Sequence, residues 1–293
     1  MAVLTTKANG LELAYEQIGN PGNPPVLLIM GLGSQMISWP DGFCEQLAER
    51  GFHLTRYDNR DSGRSTHLTD AGTPDIEAFI RGEEQEPPYL VADMADDAAG
   101  ILEALSLSPA HVVGVSMGGM IAQSLAIQHP RDVRSLTSIM STPSIALGAP
   151  TDEALAVLVA PPAMSKEDYI EQSVRTFAAI GSPGFPFDEK WQRMIAAESY
   201  DRDPDPSGRA RQLLAVISSP DRTPGLNHLD VPTLVIHGKE DPLCRPEAGE
   251  ATAAAIPGAE LVLEEGMGHD LPEALWHHII ARIEAIAHRA DAA

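Results

Sequence analysis

The sequence predicts an α/β fold: a mostly parallel central sheet flanked by helices, with an inserted helical segment. A continuous apolar run at residues 26–30 is typical of a strand buried on both faces of a sheet. A second apolar strand, ending at Val115, leads through a Gly-x-Ser-x-Gly turn into a helical pattern. Between residues 142 and 224 the pattern is helical throughout. These observations favour alternating strands and helices, interrupted once by a helical insertion.

The core elements follow from periodicity and from their boundaries. Residues 11–18 alternate between apolar and polar side chains, which predicts an antiparallel strand at the edge of the sheet. The helical spacing at 43–50 ends at Gly51, and the helical pattern at 90–105 carries acidic residues in its first half, where the helix dipole favours them. Residues 66–88 are polar and rich in glycine and proline, which predicts a loop. Further strands are predicted at 52–57, 133–140, 231–238 and 260–263, and further helices at 121–129, 245–256 and 275–288.

The inserted segment is predicted to form a lid over a site on the core. Its helices are separated by links rich in proline and glycine, and they are predicted at residues 153–160, 166–180, 189–200 and 209–218. The predicted organisation is therefore a first core part at residues 1–141, a lid at 142–224 and a second core part at 225–293.

The pentad at residues 114–118 carries the strongest chemical signal. Its flanking strand and helix predict a sharp turn with Ser116 at the apex in strained backbone, and the glycines at 114 and 118 avoid a collision across the turn. A serine hydroxyl needs a base within hydrogen-bond reach, and the base needs a group that holds its tautomer. We therefore expect Ser116 to act as a nucleophile with an acid and a histidine that follow it in the chain.

The chain offers ten histidines, of which His269 is the best candidate for the base because it follows a predicted strand in a glycine-flanked loop. Asp241 is the best candidate for the acid, since it opens the turn after the predicted strand at 231–238. Glu240 is its nearest competitor, and we expect Asp270 to be solvated or to cap a helix. Six other histidines are weaker candidates. His111 and His237 are expected to be structural, since they lie in or at the ends of predicted strands. The three on the final helix are expected to be solvated: His277, His278 and His288. His228, in the linker that leaves the lid, is a lesser rival.

Two backbone N–H groups are expected to stabilise an oxyanion. The first belongs to Met117, directly after the nucleophile, at the start of the predicted helix. The second comes from the glycine-rich loop at 31–33, where we expect the N–H of Leu32.

These motifs together resemble the α/β-hydrolase family over essentially the whole chain. The similar segments are the loop at 31–33, the Asp-x-Arg-Asp-x-Gly-x-Ser turn at 58–65, the serine turn at 114–119, and residues 237–242 and 266–269. Within the family the chain is similar to the aclacinomycin methylesterases and related bacterial carboxylesterases. The resemblance implies Ser116, Asp241 and His269 as a catalytic triad and Leu32 and Met117 as oxyanion donors, with no metal or organic cofactor.

We therefore expect a carboxylic ester hydrolase that forms an acyl-enzyme with a small to medium, partly apolar ester, of which a methyl ester is one candidate. A perhydrolase or haloperoxidase without cofactor would use the same triad. An aminopeptidase would need carboxylates in the lid to hold an amine. A ligand-binding protein without catalysis is the remaining alternative. The sequence leaves open the ester, the lid residues that line the pocket, and whether the chain is a monomer or a homo-oligomer.

Composition and charge indicate which partners and which cellular compartment to expect. The 293 residues carry a formal net charge of -22, which disfavours nucleic acid and anionic membranes as partners. No apolar run is long enough to span a bilayer, and residues 1–7 lack the pattern of a secretory signal, so we expect a cytoplasmic protein. Cys44 and Cys244 lie far apart and outside any metal-ligand spacing, and we expect no disulfide.

Overall fold

A single sheet organises the computed structural model, which describes residues 3–292. Within these residues the sheet has eight strands, in the spatial order β1-β2-β4-β3-β5-β6-β7-β8. The first strand pairs antiparallel with the second, the second antiparallel with the fourth, and all other neighbours pair in parallel. The predicted fold class is therefore confirmed. The strands are β1 (Leu4–Ala8), β2 (Leu11–Gly19), β3 (Pro25–Ile29), β4 (His53–Tyr57), β5 (Ala110–Val115), β6 (Val133–Ile139), β7 (Thr233–Gly238) and β8 (Glu260–Glu264).

The edge of the sheet differs from the prediction. The alternating segment does form β2, but β1 pairs outside it, with Leu4 opposite Tyr15, so β2 lies between β1 and β4. Most of the side chains of β1 are exposed or only half-buried. A strand with so little buried surface has no strong apolar alternation, which explains why the pattern did not reveal it.

The helices cover both faces of the sheet. Neighbouring residues of β3 point to opposite faces, so Leu27 belongs to one apolar cluster and Leu28 to the other. The helices α1 (Asp41–Glu49), α2 (Ile76–Ile80), α3 (Val91–Ala104) and α4 (Met117–Gln128) precede β6, while α10 (Pro246–Ala255) and α11 (Glu273–Asp291) follow β7. The cluster around Leu27 includes residues of α3 and α4, and the cluster around Leu28 includes residues of α1 and α11. The predicted loop at 66–88 is wrong in part, since it contains α2 and a 3-10 turn at Thr69–Ala71.

Five helices lie between β6 and β7: α5 (Asp152–Leu158), α6 (Lys166–Ile180), α7 (Glu189–Arg202), α8 (Ser207–Ser218) and α9 (Thr223–Leu226). Two buried ion pairs join them to the turn after β4. Arg202 contacts Asp58 at 2.5 Å and Arg211 contacts Asp61 at 2.7 Å. Both carboxylates also accept backbone N–H groups, so each buried charge has several partners. The polar turn at 58–65 is therefore attached to the inserted helices by two buried ion pairs.

In residues 3–292, no helix is both long and apolar enough to cross a membrane. Both cysteines are free thiols; Cys44 is buried and Cys244 is half-buried. The same part of the chain contains no group of three or more His, Cys, Asp or Glu side chains arranged to hold a metal ion.

Candidate active site

Ser116 lies at the turn between β5 and α4 with φ = 54° and ψ = −121°. This conformation is sparsely populated by residues other than glycine. A side chain on Gly114 would overlap the backbone of Gly118, and one on Gly118 would overlap the carbonyl of Ile29. The glycines therefore permit the close approach that the turn requires. The Ser116 N–H donates to the Ile139 carbonyl at 2.9 Å, which fixes the turn to β6.

The three residues predicted to act together are adjacent in space. His269 Nε2 lies 2.9 Å from Ser116 Oγ, and His269 Nδ1 lies 2.7 Å from Asp241 Oδ2. Asp241 follows β7 and His269 follows β8, so both reach the site from the carboxyl edge of the sheet. Asp241 and His269 are buried, while Ser116 is half-buried. The series from carboxylate through imidazole to hydroxyl has the geometry needed to activate a serine.

Backbone groups hold the Asp241 carboxylate in place. Its Oδ1 accepts the N–H groups of Leu243 and Cys244, both at 2.9 Å, which leaves Oδ2 for His269. A second buried histidine lies close by, because His237 Nε2 is 3.5 Å from Asp241 Oδ2 and 2.6 Å from the Cys244 carbonyl oxygen. Burial lowers the pKa of His237, which favours a neutral ring that donates to that carbonyl.

The competing carboxylates lie elsewhere. Glu240 is exposed, and its carboxylate accepts the N–H of Gly266 at 2.6 Å. Asp270 accepts a hydrogen bond from the Ser182 hydroxyl, and burial raises the pKa of its carboxyl group. The helix that follows has no side-chain cap. Asp270 is half-buried and bonded to the inserted segment, so the expectation that it caps a helix is wrong, and it is only partly exposed to solvent.

The two N–H groups predicted to hold an oxyanion border the serine. Met117 is the first residue of α4, where an N–H has no partner within the helix. The loop of Leu32 turns through a hydrogen bond from Ser34 N to the Gly31 carbonyl at 3.2 Å. A side chain on Gly31 would lie 3.2 Å from the Ser116 Cβ, so the loop passes directly beside the serine. Within residues 3–292, the Leu32 N–H makes no hydrogen bond.

A cavity of about 1780 Å³ opens at this point. Ser116, His269, Leu32 and Met117 line it on the core side, together with side chains of the inserted helices. Most of the lining is apolar on the side of the inserted helices, where it includes Leu158, Phe177, Phe187 and Trp191. The nucleophilic geometry is thus combined with a space large enough for a substrate.

The whole arrangement matches a known family. A family model for the alpha/beta hydrolase fold matches residues 24–273. The chain belongs to the α/β-hydrolase family. The resemblance found in the sequence motifs is thereby confirmed, and the match covers the inserted helices and the core from β3 to the start of α11.

Relatives of this α/β hydrolase include two methylesterases. The rhodomycin D methylesterase DauP of Streptomyces sp. (strain C5) is 31% identical over 93% of this chain and 94% of its own length. The rhodomycin D methylesterase DnrP of Streptomyces peucetius is 30% identical, over 93% of this chain and 94% of its own length. Among solved structures, the enol-lactonase from Burkholderia xenovorans LB400 superposes with a TM-score of 0.72 at 21% identity, covering 97% of this chain and 98% of the other. The chain is a hydrolase with a small-molecule substrate, and the methylesterases support esterase activity.

Two polar side chains of the site could not be found from the sequence. Gln212 of α8 is fully buried, and its Oε1 accepts the Gly33 N–H at 2.8 Å, which holds the loop of Leu32. Arg209 of the same helix lines the cavity. Both belong to a helical segment without a motif, and they meet the loop only through the tertiary fold. The expected rival His228 is exposed, and His111 is buried against Ser135.

Proposed function

We propose that the chain is a carboxylic ester hydrolase in which Ser116 is the nucleophile, His269 the general base and acid, and Asp241 the group that orients the imidazole. The observation that supports this most is the hydrogen-bonded series from Ser116 Oγ to His269 at 2.9 Å and from His269 to Asp241 at 2.7 Å. The imidazole bonds both the serine and the carboxylate, which is the arrangement required for proton transfer from a serine hydroxyl.

In the acylation step, Ser116 Oγ forms a bond to the ester carbonyl carbon while its proton moves to His269 Nε2. Negative charge develops on the carbonyl oxygen, which accepts hydrogen bonds from the N–H groups of Leu32 and Met117. Asp241 stabilises the imidazolium that forms. The tetrahedral intermediate then breaks its bond to the alcohol oxygen, which takes the proton from Nε2 and leaves as the free alcohol.

Deacylation follows the same path with water in place of the serine. His269 accepts a proton from water, and the resulting hydroxide attacks the acyl carbon. The bond to Ser116 Oγ breaks, and the serine recovers its proton from His269. The products are a carboxylic acid and the original serine, so the reaction consumes one water and needs no electron transfer.

The substrate we propose is a small to medium, partly apolar ester, with a methyl ester among the candidates. The cavity has room for such an ester, since its volume is above the roughly 300–1000 Å³ typical of small-molecule sites. Its aromatic lining favours apolar groups. The names of the two Streptomyces relatives support a methyl ester. We further propose that residues 142–224 act as a lid between core parts at 1–141 and 225–293, since the helices of this stretch line the cavity opposite Ser116.

The test is Ser116→Ala with a matched Ser124→Ala control, a buried serine of α4 that does not line the cavity. We expect Ser116→Ala to lower kcat for p-nitrophenyl esters by roughly 10⁴-fold or more and to abolish labelling by a fluorophosphonate, whereas the control keeps both. Near-native hydrolysis by the folded Ser116→Ala protein would refute the proposal. Peroxide-dependent halogenation or cleavage of aminoacyl arylamides at a higher rate than ester hydrolysis would replace it by one of the alternatives.

A further inference from the structure

Arg209 of α8 lies over the loop that carries the expected oxyanion donor. Gly33 has φ = 65°, and a side chain there would lie 2.9 Å from both Cγ and Cδ of Arg209. The aliphatic part of the arginine therefore occupies the space that a residue other than glycine would need. Leu32, which precedes Gly33, lines the same cavity as Arg209. A side chain on Gly33 would also lie 3.3 Å from Arg209 Nε, so the guanidinium begins beside the loop that carries the expected oxyanion donor.

The guanidinium has few partners in the protein. Its Nη2 donates to the Leu158 carbonyl oxygen at 2.6 Å. Within residues 3–292, no carboxylate lies within the 4.0 Å of an ion pair with Arg209, whereas Arg202 and Arg211 of the same helical segment each have one. Burial lowers the pKa of Arg209, although an arginine stays charged at neutral pH. The Arg209 side chain is half-buried, and even partial burial of a charge without a counter-charge is costly.

Eight carboxylates also line the cavity, and two of them, Asp203 and Asp61, are bound by groups other than Arg209. Asp203 accepts from His67 at 2.9 Å and from the Gly63 N–H at 3.0 Å, and Asp61 pairs with Arg211. Among the described residues that line the cavity, Arg209 is the one arginine or lysine. The cavity therefore offers a single positive charge to a molecule that enters it.

We propose that Arg209 binds a carboxylate on the acyl part of the substrate, so that the enzyme prefers monoesters of dicarboxylic acids over uncharged esters of the same shape. A guanidinium has five N–H donors in a planar fork, and one of its nitrogens is bound to Leu158. Donors remain for a carboxylate, which is the geometric match of a guanidinium. This inference rests on the proposed ester hydrolysis at Ser116 for the position of the ester, and it adds the second anchor of the substrate.

If Arg209 has only a structural role, its substitution should have a different effect on the kinetics. Arg209 could serve only to join the end of α5, through Leu158, to the loop of Gly33. Its removal would then disturb the hydrolysis of every ester equally. The two roles separate when a charged and an uncharged ester of equal size are compared.

The kinetic test uses p-nitrophenyl monoesters of succinic, glutaric and adipic acid, each beside the ester whose free carboxylate is replaced by a carboxamide. We expect Arg209→Gln to reduce the ratio of kcat/KM for the acid to that for the amide by about tenfold or more at the best chain length, mainly through KM. Arg209→Lys should recover part of the ratio. Arg175→Gln is the matched control, because Arg175 is exposed on α6 and does not line the cavity; it should leave the ratio as in the wild type.

A binding measurement makes the inference independent of the nucleophile. Monomethyl glutarate and its carboxamide counterpart are titrated calorimetrically into Ser116→Ala protein with and without Arg209→Gln. Tighter binding of the acid that is lost with Arg209→Gln supports the inference even if Ser116 proves not to be the nucleophile. An unchanged acid-to-amide ratio in both experiments, with the folded Arg209→Gln and Arg209→Lys proteins, overturns it and leaves Arg209 a structural link.

Discussion

The backbone N–H of His269 donates a 2.7 Å hydrogen bond to the carbonyl oxygen of Ile180, the last residue of α6. The Gly184 N–H donates to the Gly266 carbonyl at 2.9 Å, so the segment at 180–184 lies alongside the loop at 266–269. A side chain on Gly268 would overlap the backbone of Gly181. The loop that carries the proposed base is therefore built against the end of α6. Movement of that end would shift the imidazole, so we expect any opening of the proposed lid to occur elsewhere.

Ser182 connects the same two segments, and its loss should loosen the histidine loop. Its hydroxyl oxygen accepts the Gly268 N–H at 2.9 Å, and its hydroxyl donates to Asp270. We expect Ser182→Ala to lower kcat several-fold or more, because small misplacements of a catalytic group are costly. The free energy of unfolding should fall by about 0.5–1.5 kcal/mol, since two part-buried hydrogen bonds are lost. Ester kinetics and urea denaturation measure the two effects.

The control for this change is Ser165→Ala at the other end of α6. Ser165 caps the helix by accepting the Asp168 N–H at 3.1 Å, so its removal should cost about 1 kcal/mol of stability. Among residues 3–292 its hydroxyl bonds Asp168 and no residue of the histidine loop, so kcat should stay near that of the wild type. An equal loss of kcat in both variants would show that general destabilisation, not the position of His269, limits the Ser182→Ala enzyme.

The choice of acid can be decided by two conservative substitutions. Asp241→Asn keeps the shape but places an uncharged amide against His269 Nδ1, and we expect kcat to fall by roughly 10³–10⁴-fold because the tautomer and the imidazolium lose their support. Glu240→Gln should cost less than tenfold, since Glu240 is exposed and bonds the Gly266 N–H. Steady-state kinetics on one p-nitrophenyl ester compares them. A larger loss in Glu240→Gln than in Asp241→Asn would reverse the assignment.

The sequence predicted most of the fold because most elements have either a strong apolar pattern or a clear end. The buried strands β3 and β5 and the amphipathic α1 and α11 are of this kind. β1 was missed because its side chains are mostly exposed, and α2 was missed because five residues carry too little periodicity. Short or solvent-facing elements depend on neighbours that the local sequence does not identify.

The residues of the candidate site also differ in whether a local sequence pattern identifies them. Ser116 stands in a motif whose glycines are required by the turn, and Asp241 and His269 each follow a recognisable strand, so all three could be named in advance. Gln212 had no such signal, because its bond to the Gly33 N–H spans 179 positions of the chain. Polar residues on the inserted helices act through packing against distant loops, and periodicity records only that they lie on a helix.

Gln212 should act as a positioning residue for the loop of Leu32. Its Oε1 accepts the Gly33 N–H at 2.8 Å, and its Nε2 donates to the Arg60 carbonyl at 2.7 Å. Gln212→Leu leaves both backbone groups unpaired. We expect kcat to fall about tenfold or more with a smaller change in KM, because the oxyanion contact proposed for the Leu32 N–H would act mainly in the transition state.

The control is Gln123→Leu, which removes an equally buried glutamine of α4. The Gln123 side chain bonds Ser138 and Arg222, and in the described part of the chain it makes no hydrogen bond to the glycine loop. Both variants should lose stability, which thermal denaturation measures, but the fall in kcat should be specific to Gln212→Leu. Equal kcat in the two variants would show that the glycine loop holds its position without Gln212.

The stability of the attachment between the core and the inserted helices should depend on pH through His67. Its Nε2 lies 2.9 Å from Asp203 Oδ2, and its Nδ1 lies 2.9 Å from the Ser65 carbonyl oxygen, so both ring nitrogens face acceptors. The hydrogen bond to Asp203 raises the pKa of His67 in the folded protein. The protonated ring is therefore bound more strongly in the folded than in the unfolded chain. This contribution is complete below the unfolded pKa of about 6.5 and is lost as the pH rises through the higher folded value.

We expect the free energy of unfolding to differ more between wild type and His67→Gln at pH 5.5 than at pH 9. The excess should stay below about 1 kcal/mol, because the ring is only partly buried and solvent screens the pair. Urea denaturation at pH 5.5 and pH 9 measures this difference in the free energy of unfolding. His228→Gln is the control, since His228 is exposed and has no carboxylate within 4.0 Å among residues 3–292. A difference that grows towards pH 9 would mean that the neutral ring is the form bound by the folded protein, with Asp203 accepting from an imidazole and not from an imidazolium.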